Sequence, residues 1–140
     1  MKNRMKNKMK ILLLLTAVAC LAAGMYCFTR PKIRLPENPR VYMQKLHEGE
    51  YAYLAYEDKI FIPYCPYKAD YLGECIGYYD IPVSENAEAG RAYVCEMNGY
   101  SPDEWIIDLL DTNCSEGMIL RESQTTEIPE GLTSEYEWNQ

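Results

Sequence analysis

The sequence predicts an α+β, β-rich protein: an N-terminal transmembrane helix followed by one small, mostly antiparallel sheet domain. Three observations predict it. Residues 11–28, ILLLLTAVACLAAGMYCF, hold no charge and no proline. Beyond residue 50, short runs rich in Tyr, Ile, Val and Phe recur between turn-forming residues, and such runs suit strands. Of 140 residues, about 112 follow the first stretch, enough for one modest core and too few for two.

The apolar stretch fixes placement first. Lys2, Arg4, Lys6, Lys8 and Lys10 precede it, with no acid among them. At about 1.5 Å per residue its length approaches the hydrocarbon thickness of about 30 Å. A retained signal anchor, residues 11–28, is therefore expected, with the membrane as its partner. Two alternatives share the same residues: a cleaved secretory signal, and a lipoprotein with Cys20 as the lipidated residue of AVAC. The chain stays apolar beyond Cys20, which favours the anchor. Five basic residues before it, against Arg30, Lys32 and Arg34 after it, predict a plasma-membrane, single-pass protein with residues 1–10 cytoplasmic and the rest extracytoplasmic.

Residues 29–40, with three prolines, form an expected juxtamembrane spacer. The domain is placed at residues 41–121. Residues 41–47 fit either a short strand or a helical turn. Residues 51–56 and 59–64 are expected to form a hairpin across Glu57 and Asp58, with Pro63 ending its second strand or lying on an edge. A loop with one helical turn follows, then a strand over 74–79, in which Gly77 marks a bulge or a close backbone approach. A strand over 91–97 runs into the turn signal Asn98-Gly99. Ser101-Pro102 has the form of a helix start, yet the run from Trp105 to Leu110 is short and favours a strand, paired with residues 118–121. Residues 122–140 hold five Glu and no Lys or Arg, and are expected to be an acidic tail onto which Tyr136 and Trp138 could dock.

Charge narrows the partners. After residue 28, nine Lys and Arg stand against all 21 Asp and Glu, a net −12. Nothing there would displace the counterions of a polyanion, so nucleic acid is excluded as a partner.

Candidate sites are few. Cys65, Cys75, Cys95 and Cys114 lie in the domain, and export would favour disulfides among them. Pairing 65–75 and 95–114 closes the two shortest loops, while free buried thiols are the alternative. Their spacings do not suit zinc. Asp111, Asn113, Ser115 and Glu122 stand at positions 1, 3, 5 and 12 of an EF-hand-like loop, so calcium is the one cofactor the sequence suggests. The glycine needed at position 6 is Glu116, and no exit helix follows. An acidic hairpin loop accounts for the same residues without an ion. Tyrosine is frequent, with 13 in the chain. Tyr51, Tyr53, Tyr78 and Tyr79 could present a flat aromatic face to a ligand, although cross-strand packing explains tyrosines equally. Catalytic residues are not evident. His47 is the only histidine, and no nucleophile motif surrounds it. Carboxylate pairs such as Asp103/Glu104 and Asp108/Asp111 are expected on a solvated face.

Three pieces, DKIFIPY at 58–64, LGECIG at 72–77 and NGYSPDEWI at 98–106, together resemble a diffuse group of small Gram-positive cell-envelope proteins. These carry a signal anchor or lipoprotein signal and one exported domain. The resemblance implies export and a single β-rich domain, and brings no catalytic residue with it. The function expected is therefore a membrane-anchored, extracytoplasmic binding protein for a protein, peptide or envelope ligand. Two alternatives stand beside it. One is a membrane-tethered immunity or accessory factor against a cationic peptide, which the acidic domain would attract. The other is a small envelope hydrolase using paired carboxylates, which requires two of them converging in a concave pocket with one shielded from water.

Overall fold

The computed structural model describes residues 2–29, 33–47, 51–83, 85, 90–110, 114 and 116–135, with backbone alone for 2–5, 24–29, 47 and 51. It forms two compact units, Met1–Pro31 and Lys32–Gln140. The first is a single helix, α1, Lys2–Thr29. Among the described residues no helix is long and apolar enough to cross a membrane, which overturns the expected transmembrane signal anchor. Lys6, Lys8 and Lys10 put charge on the helix turns that lead into the apolar run.

The second unit is a single sheet of eight strands: β1 Arg40–Val41, β2 Met43–His47, β3 Tyr51–Tyr56, β4 Lys59–Pro66, β5 Leu72–Ile81, β6 Gly90–Met97, β7 Trp105–Leu109 and β8 Gly117–Glu122. Their spatial order is β1-β5-β6-β7-β8-β4-β3-β2. Every pairing is antiparallel except β1 with β5. The two outermost strands, β1 and β2, are consecutive in the chain and joined by Tyr42 alone. Tyr42 donates its N–H to the Tyr78 carbonyl at 2.9 Å. One stretch of backbone thus serves both edges, and the sheet curls into a near-barrel. Gly77 permits this closure, because a Cβ there would collide with the Arg40 carbonyl oxygen of β1. The sequence allowed Gly77 a bulge or a close approach, and it shows both, since the β5–β6 register shifts beside it.

Strand alternation divides the apolar residues between two faces. Tyr42, Leu54, Phe61, Tyr79, Ala92, Val94, Ile106 and Leu120 fill one cluster, the barrel interior. Cys95, Met97, Trp105, Ile107, Leu109 and Ile119 belong to a second cluster on the outer face. Because β7 is buried on both sides, its sequence is a nearly continuous apolar run rather than an alternating one. The outer cluster is roofed by loop residues Tyr67, Tyr71 and Tyr100 and by Leu132. Residues 123–135, expected as part of an acidic tail, lie on the domain instead. Leu132 is buried, the Glu135 N–H donates to the Tyr64 carbonyl at 2.8 Å, and the Tyr64 ring stands edge-on to Trp105 with centroids 5.0 Å apart. Tyr136 and Trp138 lie outside the described residues.

The hairpin of β3 and β4 forms across Glu57-Asp58, with Glu57 at φ +53°. Residues 41 and 43–47 are strand, split at Tyr42, and 105–109 pair with β8. The Ser101 side chain accepts the Asp103 N–H at 3.2 Å, but the turn closes there and no helix follows. Pro63 behaves differently from expectation. It neither ends β4 nor sits on an edge strand, since β4 continues to Pro66 between β3 and β8. Its missing N–H is felt on one side only. The β3–β4 register stops at Leu54 opposite Phe61, while β4 stays paired with β8 across a register shift between Pro63 and Cys65. The wall between β3 and β4 opens at Pro63.

Candidate functional site

A cavity of about 260 Å³ lies where that wall opens. Leu54, Pro63, Met118 and Leu120 give it an apolar lining, and Gln44, Tyr79 and Asp108 supply its polar groups. Each polar group is placed by strand register. Tyr79 is opposite Ala92 on β6, and Asp108 is flanked by Val94 on β6 and Met118 on β8. Alternation along β7 sends Trp105, Ile107 and Leu109 outward, leaving Ile106 and Asp108 facing the interior. An acid therefore occupies what is otherwise a core position.

The Tyr79 hydroxyl donates to Asp108 Oδ2 at 3.0 Å. Asp108 Oδ1 is buried and has no hydrogen-bond partner among the described residues. Burial pushes the Asp108 carboxyl up to about 7, and the Tyr79 hydrogen bond opposes that rise only in part. The Tyr79 phenol is itself raised, first by burial and then by the neighbouring carboxylate. Near neutral pH the site thus holds an acid poised between two charge states. Its free oxygen can accept a hydrogen bond from a donor entering the cavity, most strongly from a cation. No Lys, Arg or His is among the described residues lining it.

The tyrosines expected to share one face are separated. Tyr78 and Tyr79 are neighbours on β5 and point to opposite faces. Tyr79 is fully buried in the interior, whereas the Tyr78 ring lies 3.9 Å beneath the Arg91 guanidinium, which also pairs with Asp80 at 2.9 Å. Tyr53 is half-buried on β3, and the side chain of Tyr51 lies outside the described residues. Of the three whose side chains are described, only Tyr79 lines the cavity.

For the calcium loop, Asp111, Asn113 and Ser115 lie outside the described residues. Glu122 ends strand β8, and its carboxylate accepts from the Ser123 hydroxyl at 3.1 Å and the Gln124 N–H at 2.9 Å. It caps the turn that leaves the sheet. A second, open and polar cavity of about 430 Å³ gathers Asp103, Glu104, Glu122 and Glu127 beside Lys59. Carboxylates do converge there, but Glu122 is committed to that turn and Asp103 pairs with Arg40 at 3.2 Å. The candidate disulfide residues Cys65, Cys75, Cys95 and Cys114 are all thiols. Their arrangement follows strand register rather than loop length: Cys95 faces Cys75, while Cys65 faces Ile119.

Asp108 is the residue that the sequence places on a solvated face and the fold turns inward, half-buried with its Oδ1 closed off from solvent. The available signal was a single acid inside the run WIIDLL: once that run is a strand buried on both sides, its one charge must point into a core. Comparison with known families, curated proteins and solved structures finds no match to this chain.

Proposed function

We propose that the protein is a non-catalytic binding module whose interior cavity at the Pro63 opening takes a ligand carrying one amine on a short apolar body. The observation that supports this reading is the buried Oδ1 of Asp108, unpartnered among the described residues, in a cavity whose walls are mostly Leu, Met and Pro, with Gln44 and Tyr79 as its other polar groups. An ionised carboxylate there lacks the solvation it would have in water, and an ammonium group restores it by a charge-assisted hydrogen bond. The apolar walls favour the adjoining methylenes. The −12 charge of the chain beyond residue 28 adds long-range attraction for cations. The same chemistry is offered by a small free amine and by a lysine side chain of a cationic peptide. The second source would make the protein an accessory or immunity factor. Paired-carboxylate hydrolysis has less support, because Asp108 is the only carboxylate among the described lining residues of this cavity.

Calorimetric titration of the full chain with n-butylamine and with n-butanol tests the proposal. Butylamine should bind and butanol should not, with affinity rising roughly tenfold per pH unit up to about pH 7 and then levelling as Asp108 becomes fully ionised. Asp108→Asn should abolish the preference. Equal binding of alcohol and amine would refute the reading. A lysine-containing peptide that binds much more tightly than butylamine would identify the peptide as the source.

A further inference from the structure

Cys75 on β5 and Cys95 on β6 are direct cross-strand partners. Directly opposed residues of an antiparallel pair have Cα atoms about 4.5–5.5 Å apart, inside the range that a disulfide spans. The pair is set apart from the rest of the ladder, because the register shifts on both sides of Cys75. Its two thiols are unequal. Cys95 is buried in the outer cluster beside Met97 and Ile107, whereas Cys75 is half-buried, with its Sγ 3.5 Å from the Gly77 carbonyl oxygen. A hydrogen bond from Cys95 draws the Cys75 thiol down to about 7, against the opposing effect of burial. The same contact, together with burial, pushes the Cys95 thiol up. One sulfur is accessible and readily ionised; the other is shielded and stays protonated. That division of labour is what thiol–disulfide exchange requires of an attacking and a resolving cysteine.

We propose that Cys75 and Cys95 form a redox-active dithiol that exchanges with small aliphatic disulfides. The Cys75 thiolate attacks one sulfur of the external disulfide. A bond forms between Cys75 and that sulfur, the external S–S bond breaks, and the departing thiolate takes up the proton that Cys75 released. Cys95 then attacks the Cys75 sulfur, its proton passing to the second departing thiolate. The protein loses two electrons and two protons to become a cross-strand disulfide, and the external disulfide is reduced to two thiols. The site lies on the outer face and does not depend on the amine cavity of the interior.

The test is to treat the folded full chain with oxidised glutathione and map it by non-reducing digestion and mass spectrometry. The expected product links Cys75 to Cys95, with loss of two hydrogens and no retained glutathione. Cys95→Ser should stop at a single glutathione adduct on Cys75, and Cys75→Ser should leave residue 95 unmodified. Cys114→Ser, altering a thiol that packs on the same cluster, should leave the 75–95 link intact. A link between 65 and 75 or between 95 and 114, or no protein disulfide in the folded wild-type chain, would overturn the proposal. The wild-type map alone decides this, so a variant that fails to fold does not leave the question open.

Discussion

Replacing Asp108 with Asn probes the buried carboxyl through stability alone, without any ligand. Asn has nearly the shape of a protonated Asp, and its carbonyl oxygen can keep accepting from the Tyr79 hydroxyl. In the folded protein the carboxyl is raised to about 7 from an ordinary 3.8. The folded state therefore holds this proton more tightly than the unfolded chain. The resulting stability is fully present below about pH 4, declines as pH rises toward 7, and is gone above it. At about 1.4 kcal/mol per tenfold change in proton activity, roughly three decades amount to about 4 kcal/mol. Asn does not titrate, so the variant should gain on the wild type by about that amount between pH 4 and pH 8. All other titrating groups are shared and cancel in the difference. Urea denaturation of both full-length proteins across this range gives the result directly. Parallel stability curves would mean that Asp108 is solvated, and the reasoning about the cavity would fail with it.

Tyr79→Phe removes the one hydrogen bond that lowers the Asp108 pKa, so the pH at which butylamine binding levels off should move above 7, as read by the same calorimetric series. Gly77→Ala would drive a Cβ into the Arg40 carbonyl. It should destabilise the domain by about 1–3 kcal/mol in urea denaturation, the range for overpacking at a rigid contact. An alanine tolerated without loss would mean that β1 does not close against β5.

The strands were legible where local chemistry decides them. The run YAYLAY followed by Glu57-Asp58 and KIFIPY specifies a hairpin without knowledge of the rest, and Asn98-Gly99 marks the end of β6, with Gly99 at φ +84°. Closure was not legible. It depends on β1, two residues long, reaching β5 nearly forty residues away in sequence, and no local pattern encodes a pairing so short and so distant. The same limit applied to the cysteines. Loop length suggested 65–75 and 95–114, but register sets partners in a sheet, and β4 and β5 are separated by three intervening strands along its order. Which tyrosines face outward was not legible either: alternation turns adjacent Tyr78 and Tyr79 to opposite faces, and only the burial of one face shows that Tyr79 is the inner one. The apolar composition of residues 11–28 suggests a span, whereas among the described residues no helix is long and apolar enough to cross a membrane. Asp108 was hidden for another reason. In a chain with 21 acids, one more carboxylate carries no signal until the burial of both faces of β7 is known.

The central claim is that Asp108 holds an uncompensated charge awaiting a cation. Carbon-13 NMR titration of its side-chain carboxyl, with and without saturating n-butylamine, measures this at the atom concerned. The account predicts a midpoint near 7 in the free protein, moving distinctly lower when the amine is bound. A midpoint near the ordinary carboxylate value, or one that the amine leaves in place, would contradict it.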